Sequence, residues 1–518
     1  MTKPVIIGSR GSDLALWQAN FFQASLNELG IASEIKIIST KGDRIQHLSF
    51  DKIEGKGFFT KEIEESLLNE EIDVAIHSHK DLETRSPEGL TIGAVSYRET
   101  PTELLLVHKS AIDPSMPFGF KRGAVVGTSS ARRKSQIKDL RPDITLKDIR
   151  GNVPTRIEKL KSGDFDAILL ATAGVKRLKL DLVGISAKEI DARLFIPAPA
   201  QGVLAFQCRA TDERIKAILL KLHNREVQAA IDIERGILSS FGGGCQIPIG
   251  VHAEKQENHF VVRASFANDW SDFTRRVRFK ADSISEALSH FQKLKTKPLP
   301  KSVFISKALE SDDLLERASK SFGFQLYGKA LIKITPFEFE LPDNFDWIFF
   351  SSSNGVKAFF DQVKNAFPAG LKFGAYGEAT AQTLAQYVSQ IDFVASPGQP
   401  NNVAFEFKNV LKEDVALFPS SDISMNSIQR DLAPNQCITL SVYKTTEVHD
   451  SRIDPCEAYI FTSPSNVRAF HNSSNEISSL SKVIAIGTST ANALSAFGIN
   501  AEIADYPHDA ELFTLLCS

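Results

Sequence analysis

The chain has 518 residues, of which 42% are hydrophobic and 24% charged, and its formal net charge is -3. This length exceeds what one hydrophobic core supports, so we expect about three to five structural units. The balanced charge gives no reason for the whole molecule to bind nucleic acid. No apolar run approaches the roughly 20 residues that span a bilayer, and the start, Met1 to Pro4, lacks the apolar core of a signal peptide. The sequence therefore predicts a multidomain protein that is neither exported nor membrane-bound.

The first 170 residues alternate between short apolar strands and amphipathic helices. The predicted strands are 5–8, 34–40, 74–77, 124–126 and 167–170. The predicted helices are 13–29, 61–71, one beginning at 130, and 152–161. This alternation predicts parallel sheets with helices on both faces.

Asp81 and three basic clusters follow predicted strands of this first part. Asp81 comes after the strand 74–77, and the carboxyl edge of a parallel sheet is where α/β proteins build their sites. The clusters, which combine hydroxyls, glycines and arginines at helix starts, are Ser9–Ser12, Gly127–Arg133 and Arg150–Arg156. Such junctions suit carboxylate or phosphate groups, so three of them predict a ligand with several negative groups. The alternative is that each is a solvated helix face with capping hydroxyls.

Two loops of the first part have less specific patterns. Lys56 lies in Gly55–Phe59, which lacks the spacing of a phosphate-binding loop and which we interpret as a mobile lid. Pro197–Gly202 combines prolines that fix φ with a glycine, a pattern typical of a hinge between domains. Both interpretations are hypotheses about loop geometry.

The pattern changes between residues 215 and 295, where a helix at 227–241 precedes alternating stretches at 259–266 and 273–279. We expect a small α+β unit here. The following segment, Lys295–Lys301, is polar and contains two prolines, which predicts a domain boundary.

A glycine run, Gly242 to Gly244, directly precedes Cys245. Because glycine accepts backbone conformations and close approaches that other residues do not, this stretch favours a covalent attachment point on the thiol. The alternative is a tight turn followed by a buried, inert cysteine. The five cysteines are scattered, odd in number and never in a CxxC pair, which argues against disulfides and zinc and fits a reducing cytoplasm. His77 and His79 also lack metal-ligand spacing, so we expect no metal site.

After the boundary the chain contains an internal repeat. Phe350–Phe359 is similar to Phe461–Phe470, and Ala375–Ala381 is similar to Ala485–Ala491, in the same order. The repeat predicts two similar α/β halves with hydroxyl side chains at helix starts, and clefts between such halves are common ligand sites. The alternative is that the hydroxyls only cap the helices.

The motifs carry a resemblance to known families. The ordered set SRGSDLALWQ, GKGFF, HSHKDL, GTSSARR, RGNVPTR, PAQG and GGGCQIP, within residues 1–295, resembles hydroxymethylbilane synthase, also called porphobilinogen deaminase. The later set DWIFFSSSNGV, YGEATA, VYKT, YIFTSPSNV and AIGTSTA is similar to uroporphyrinogen-III synthase. The whole chain resembles a fusion of these two families.

The resemblance implies an α/β multidomain fold. It has two periplasmic-binding-protein-like domains and a small α+β domain, followed by two Rossmann-like α/β domains. The implied first module is 1–295, divided into 1–97 with 200–214, 98–199, and 215–295. After a linker at 296–302, the implied second module is 303–518, divided into 303–335 with 446–518, and 336–445.

The resemblance also implies two consecutive reactions of heme and porphyrin synthesis. A transferase would polymerise four porphobilinogen molecules to hydroxymethylbilane, releasing ammonia, on a dipyrromethane cofactor bound covalently to Cys245. A lyase would then cyclise that product, with inversion of the terminal ring, to uroporphyrinogen III. The implied catalytic residues are Asp81 for the first reaction and Tyr443 for the second.

Other site residues follow from the resemblance motif by motif. The implied cofactor-binding residues, besides Cys245, are Lys80, Ser12, Thr128, Ser129, Ser130, Arg132, Arg133, Arg150 and Gln201. The implied substrate-binding residues are Arg10, Arg156, Lys56, Thr380, Ser463 and Thr488. This chain departs from the first family at His79, where methionine is frequent, at Glu83 and at Ala200. The imidazole of His79 is expected to affect the pH response near Asp81.

Two rival hypotheses remain open. The first half resembles a fold that solute receptors also use, so it is alternatively an anion-binding receptor. The second half is alternatively a non-catalytic regulatory or scaffold module beside an active hydroxymethylbilane synthase. In our main interpretation the partners are small molecules, with neither nucleic acid nor membrane, and the protein is a cytoplasmic monomer.

Overall fold

The computed structural model describes residues 3–40, 60–242, 247–364, 367–368, 370–395, 400–424, 426–448 and 452–518. The contacts divide the chain into two compact units. Unit 1 comprises Met1–Ala111, Arg122–Leu299 and Phe513–Ser518, and unit 2 comprises Ile112–Lys121 and Pro300–Leu512. This grouping differs from the predicted modules at the two short segments 112–121 and 513–518.

The described residues of unit 1 form three sheets. Its strands are β1 (Val5–Ser9), β2 (Ser33–Ile37), β3 (Val74–Ser78), β4 (Leu90–Val95), β5 (Glu103–His108), β6 (Val125–Gly127), β7 (Thr145–Lys147), β8 (Ala167–Ala171), β9 (Ile185–Ile190), β10 (Leu204–Arg209), β11 (Ile249–Gln256), β12 (His259–Phe266) and β13 (Arg275–Ala281). Its helices are α1 (Asp13–Glu28), α2 (Lys61–Leu68), α3 (Ala131–Leu140), α4 (Val153–Lys161), α5 (Thr172–Leu178), α6 (Glu213–Leu220), α7 (Arg225–Ser239) and α8 (Ile284–Thr296).

The first sheet has the strand order β2-β1-β3-β10-β4. Its core forms where apolar residues of the strands, such as Val5 and Ile7, meet the buried side of α1 at Phe22 and Leu26. β1 is parallel to β2 and β3, but β10 is antiparallel to β3 and β4. The predicted parallel pairing is confirmed for β1, β2 and β3. β10 lies beyond the residues on which that prediction rests, and it is antiparallel because the chain leaves after β4 and returns between β3 and β4 in the opposite direction.

The second sheet has the order β7-β6-β8-β5-β9. β6 is parallel to β7 and β8, as predicted, whereas β5 is antiparallel to β8 and β9. The third sheet, β11-β12-β13, is antiparallel and packs with α7 and α8, which confirms the predicted small α+β unit.

In unit 2, the part of the chain that the structure describes forms two sheets. Its strands are β14 (Ser302–Ile305), β15 (Gln325–Gly328), β16 (Ile332–Pro336), β17 (Trp347–Phe350), β18 (Lys372–Ala375), β19 (Phe393–Val394), β20 (Ala416–Ser421), β21 (Cys437–Glu447), β22 (Ala458–Phe461), β23 (Lys482–Ala485) and β24 (Glu502–Ile503). The helices from residue 314 onward are α9 (Leu314–Phe322), α10 (Ser353–Gln362), α11 (Gly377–Leu384), α12 (Pro400–Leu411), α13 (Pro464–Asn472), α14 (Thr488–Ser495) and α15 (Asp509–Cys517), whose residues from 513 onward group with unit 1.

The internal repeat is confirmed by the topology of unit 2. β17, α10, β18, α11 and β19 follow one another in a six-stranded sheet, ordered β16-β21-β20-β17-β18-β19. β22, α13, β23, α14 and β24 follow one another in a five-stranded sheet, ordered β15-β14-β22-β23-β24. Within each series the strands are parallel.

The predicted boundary between the two halves, at residues 335 and 336, falls inside β16. This strand joins the six-stranded sheet because its residues pair with β21 in antiparallel register, Ile332 opposite Glu447. Each sheet among the described residues packs against helices, and this confirms the predicted α/β class. Within the described part of the chain, no helix has both the length and the apolar composition to cross a membrane.

Candidate active site

Asp81 lies at the carboxyl end of β3, in a short 3-10 helix formed by His79–Asp81. Its side chain is exposed, whereas His79 is buried. The backbone N–H of His79 donates to the carbonyl oxygen of Val203 at 2.9 Å, which ties this turn to the start of β10. Asp81 is thus placed at the sheet edge where the sequence predicted it.

The charge of Asp81 acts on two basic side chains, Lys80 and Arg156. Burial, together with the charges of Arg133 and Arg150, lowers the pKa of Arg156 to about 10, while Asp81 acts in the opposite direction. Burial also lowers the pKa of Lys80, and the charge of Asp81 opposes that shift. The residues that act on each other in this way come from three strand-to-helix junctions, so the structure brings the predicted cluster together.

Glu103, at the start of β5, organises two of the predicted arginines. Its fully buried carboxylate pairs with Arg132 at 2.5 Å and with Arg133 at 2.7 Å. Burial opposes ionisation of Glu103, but the charges of Arg133, Arg132 and Lys80 outweigh it and lower the pKa of Glu103 to about 2. The carboxylate therefore stays ionised at neutral pH and balances part of the positive charge.

The amide of Gln201 joins the same network. Its Nε2 donates to Glu103 Oε1 at 3.0 Å and to the carbonyl oxygen of Pro101 at 2.6 Å, and the side chain is fully buried. Gln201 lies between Ala200, whose φ is +61°, and Gly202, whose φ is +88°. A Cβ at Gly202 would approach the carbonyl oxygen of Glu99 to 2.2 Å, so only glycine fits this crossing of two chain segments.

The hydroxyl groups that we predicted to bind the cofactor mainly form hydrogen bonds to the backbone of the site's own loops and helix starts. Ser12 caps α1 by accepting from Ala15 N, and Ser130 caps α3 by accepting from Arg133 N. Ser129 Oγ donates to the carbonyl oxygen of Ile149 at 2.9 Å and so links the loops after β6 and β7. Thr128 is buried, and its Oγ1 accepts from the backbone N–H of Ser130 at 3.3 Å. The capping alternative therefore describes Ser12 and Ser130.

Arg10 and Arg150 are half-buried at the ends of their junctions, and Arg156 Nε donates to the carbonyl oxygen of Gly151 at 2.8 Å. Cys245, with the rest of 243–246, and Lys56, within 41–59, lie outside the described residues. The attachment point and the lid therefore stay predictions from the sequence.

The histidines near Asp81 are held neutral by their surroundings. Burial lowers the pKa of His77 to about 4, and burial with the charge of Arg235 lowers the pKa of His79 to about 3. Because the imidazole of His79 is uncharged around neutrality, we expect its effect on the pH response near Asp81 to be confined to acidic pH. Within the described ranges, no group of three or more His, Cys, Asp or Glu residues is arranged to hold a metal ion.

In unit 2, Tyr443 lies on β21 and is 7% exposed. Its hydroxyl is 3.3 Å from Ser352 Oγ, which also caps α10 by accepting from Gly355 N at 3.1 Å. Burial raises the pKa of Tyr443, so the phenol keeps its proton at neutral pH. The arrangement supplies a hydrogen-bond donor beside a helix N-terminus.

The other three predicted residues of unit 2 differ in exposure. Ser463 caps α13 by accepting from Asn466 N at 3.2 Å, and Thr488 is the exposed first residue of α14. Thr380 is the fourth residue of α11 and is buried, so it does not stand at the helix start as predicted. Because α11 begins at Gly377, Thr380 turns into the packed side of the helix.

Sequence reasoning missed Glu103 and Arg235. Glu103 is the first residue of an apolar strand, where a single acidic residue resembles an ordinary surface charge. Arg235 lies on α7, 154 positions after Asp81 (235 minus 81), and no local pattern connects the two. Glu103 is identified by its ion pairs with Arg132 and Arg133, and Arg235 by its hydrogen bonds to the backbone on both sides of Asp81.

Comparison with known proteins identifies the first half. A porphobilinogen deaminase from Syntrophomonas wolfei is 43% identical over 266 residues, covering 51% of this chain and 84% of that protein. The chain belongs to the porphobilinogen deaminase family. Another member, from Fusobacterium nucleatum, is 45% identical over 273 residues, covering 52% of this chain and 89% of the relative.

The family models match two separate parts of this chain, in the order that the motifs predicted. The model "Porphobilinogen deaminase, dipyromethane cofactor binding domain" matches residues 5–217, and "Porphobilinogen deaminase, C-terminal domain" matches 229–280. The model "Uroporphyrinogen-III synthase HemD" matches residues 313–514. The predicted fusion of two families is confirmed.

Among solved structures, a uroporphyrinogen-III synthetase from Helicobacter pylori is 20% identical and covers 41% of this chain and 96% of its own, with a TM-score of 0.32. The assignment of the second half rests on the family model rather than on this likeness.

The described residues fit the dipyrromethane cofactor of the deaminase family. The sheet edge of unit 1 carries an exposed carboxylate, Asp81, which interacts with the charges of Lys80 and Arg156, and Arg150 adds positive charge near Arg156. Such cations suit a ligand with several carboxylate arms, and a carboxylate acceptor suits pyrrole N–H groups.

Proposed function

We propose that this chain is a bifunctional enzyme of porphyrin and heme biosynthesis that converts porphobilinogen, through hydroxymethylbilane, to uroporphyrinogen III. The observation that carries the proposal is that matches to both enzyme families occur in one chain and that Asp81 stands within the basic cluster of unit 1. Its substrates are small pyrroles. A solute receptor would not explain why the second half of the chain matches the uroporphyrinogen-III synthase model.

In unit 1, the cations hold carboxylate arms and Asp81 acts on the reacting pyrroles. When bound through Cys245, dipyrromethane supplies the pyrrole carbon to which the first substrate is added. We assign the arms to Arg10, Ser12, Lys80, Thr128, Ser129, Ser130, Arg132, Arg133, Arg150, Arg156 and Gln201, and Lys56 stays a substrate-binding residue predicted from the sequence. The carboxylate of Asp81 accepts hydrogen bonds from pyrrole N–H groups. It also stabilises the positive charge that develops beside them and transfers protons.

Glu103 determines how Arg132 and Arg133 act in this scheme. Because one carboxylate pairs with both guanidinium groups, the two side chains are fixed in direction before a ligand arrives. Fixed charges lose less conformational entropy on binding than mobile ones. Arg150 and Arg156 then contribute charge from the neighbouring junction.

In unit 2, Tyr443 donates a proton to the hydroxyl group that leaves the terminal carbon of hydroxymethylbilane. The C–O bond breaks as this oxygen takes the phenolic proton and leaves as water, and the helix N-terminus stabilises the phenolate that remains. Ser463, Thr488 and Thr380 are assigned to substrate carboxylates, with Thr380 the least accessible of them. Holding the linear hydroxymethylbilane in a curled conformation favours its ring closure over its release.

Mass measurement tests the first activity. The purified chain is expected to be heavier than its sequence by the mass of dipyrromethane, and Cys245→Ser is expected to lack this increment. Cys437→Ser, which changes a half-buried cysteine of unit 2, serves as the control and should keep it. An unmodified wild-type chain that gains no adduct from supplied porphobilinogen would contradict the proposal.

Product analysis tests the second activity. The full chain supplied with porphobilinogen should yield uroporphyrinogen III. Type I product alone would instead support the non-catalytic second module.

We further propose modules at 1–295 and 303–518, joined by 296–302, with the subdivisions given above except that β16 belongs with residues 336–445. We also propose that the protein is a monomer and acts in the cytoplasm, where scattered cysteines stay reduced. Light scattering of the purified chain tests the monomer.

A further inference from the structure

The turn that carries Asp81 is held from outside its own sheet by one arginine. Arg235 Nη1 donates to the carbonyl oxygens of His79 at 3.3 Å and Leu82 at 3.2 Å, and Arg235 Nη2 donates to that of Glu83. These carbonyls lie on both sides of Asp81 in the chain. One planar guanidinium therefore closes the turn around the carboxylate.

The helix that carries Arg235 is itself anchored. The preceding residue, Glu234, is fully buried and forms two bonds with Arg98, at 2.7 and 3.0 Å. Its carboxylate also accepts from the backbone N–H groups of Ala200 at 2.7 Å and Ala253 at 2.8 Å. The position of α7 is thus fixed against the chain crossing near Gln201, and Arg235 extends from a rigid base.

The turn leads into a segment at the surface. The N–H of His79 is bonded to Val203 and Leu82 is buried, but Asp81 itself is exposed, and residues 83–89 before β4 are exposed except for half-buried Thr84. A displacement of about 1 Å in a reacting group costs about 10²-fold in rate. Holding the carbonyls on both sides of Asp81 therefore limits the error in its position.

From these contacts, we propose that Arg235 is a positioning residue for Asp81, which it holds through the backbone carbonyls of residues 79, 82 and 83. The inference rests on the proposed role of Asp81. It assigns to α7 a part in the first reaction that is separate from binding carboxylate arms. A lysine cannot replace the arginine, because a single ammonium group does not present two nitrogens in a fixed plane.

The first test compares Arg235→Lys and Arg235→Met with Arg225→Lys, a control on the exposed first position of the same helix. Both Arg235 variants should lower kcat by about 10- to 100-fold and change KM by less than about 3-fold. The control should retain wild-type kcat. Rates are normalised to the fraction that carries the covalent adduct by mass. An unchanged kcat in the Arg235 variants would overturn the inference.

A double-mutant cycle separates positioning from simple stabilisation. In an Asp81→Glu background the carboxylate is already displaced, so Arg235→Lys should lower kcat by less than about 3-fold. Equal factors in the two backgrounds would show that Arg235 acts independently of Asp81 and would overturn the inference. If Asp81→Asn kept full turnover, the proposed role of Asp81 would fail, and this result is distinct from either outcome for Arg235.

Discussion

The two units present polar side chains at strand ends in different ways. The edge of unit 1 combines permanent cations with two carboxylates, exposed Asp81 and buried Glu103. Around Tyr443 in unit 2, the contacts are between hydroxyls and a helix N-terminus. A ligand that grows by units bearing carboxylates requires fixed positive charge, whereas a single departing hydroxyl requires one donor. We therefore predict that removing charged side chains has its largest effects in unit 1, and that removing hydroxyl groups has its largest effects in unit 2.

The largest effect is expected for Asp81→Asn. The amide keeps the shape but loses the negative charge, so kcat of the first reaction should fall by about 10³-fold or more. Steady-state release of ammonia from porphobilinogen measures this. Asp164→Asn, at an exposed position after α4, is the matched control and should not change the rate. Wild-type turnover in Asp81→Asn would remove the carboxylate from the mechanism.

Glu103→Gln should destabilise unit 1 by about 3 kcal/mol, because it leaves two buried guanidinium groups without their charge partner. Glu158→Gln, which is exposed, should have almost no effect. Chemical denaturation followed by circular dichroism gives both values. Equal stability of the two variants would show that Glu103 is not the organising charge.

The same substitution has a defined pH dependence. The folded pKa of Glu103, about 2, lies below its ordinary value of 4.5. Its contribution to stability is therefore complete above about pH 4.5 and is lost as the pH falls through about 2. The stability difference between wild type and Glu103→Gln should shrink over that range, and a constant difference would contradict the ion-pair explanation.

Tyr443→Phe should slow the second reaction by about 10- to 100-fold, since the phenol donor is lost while the ring still packs. Supplied hydroxymethylbilane should then yield a larger fraction of uroporphyrinogen I, measured by chromatography. Tyr327→Phe, which removes an exposed hydroxyl of the same unit, is the control and should leave the isomer ratio unchanged. An unchanged ratio in Tyr443→Phe would reject the donor role.

The smallest effect concerns His79→Met. The folded pKa of His79, about 3, lies below its ordinary value of 6.5, so protonation favours the unfolded chain as the pH falls from about 6.5. Wild type should lose about 1 kcal/mol more stability than His79→Met between pH 6.5 and 5.5. Activity between pH 6 and 8 should have the same profile in both proteins. A shifted profile would show that the imidazole titrates during turnover.

Much of the fold followed from local patterns. Apolar periodicity located β1, β3 and β8, and Ser12, Ser130 and Asn152 begin their helices as capping residues do. The internal repeat predicted two equivalent series of strands and helices in unit 2. The antiparallel course of β10 did not follow, because strand direction depends on where the chain re-enters a sheet.

The sequence by itself determined the two families, the order of the motifs and the residues that carry formal charge at the site, because these depend only on residue type and spacing. Only the tertiary structure decided which charges neutralise one another. The pairing of Glu103 with Arg132 and Arg133, and the contact of Arg235 with the turn of Asp81, join residues far apart in the chain. Burial then fixes their protonation, because the cost of removing a charge from water depends on the surrounding fold rather than on neighbours in sequence.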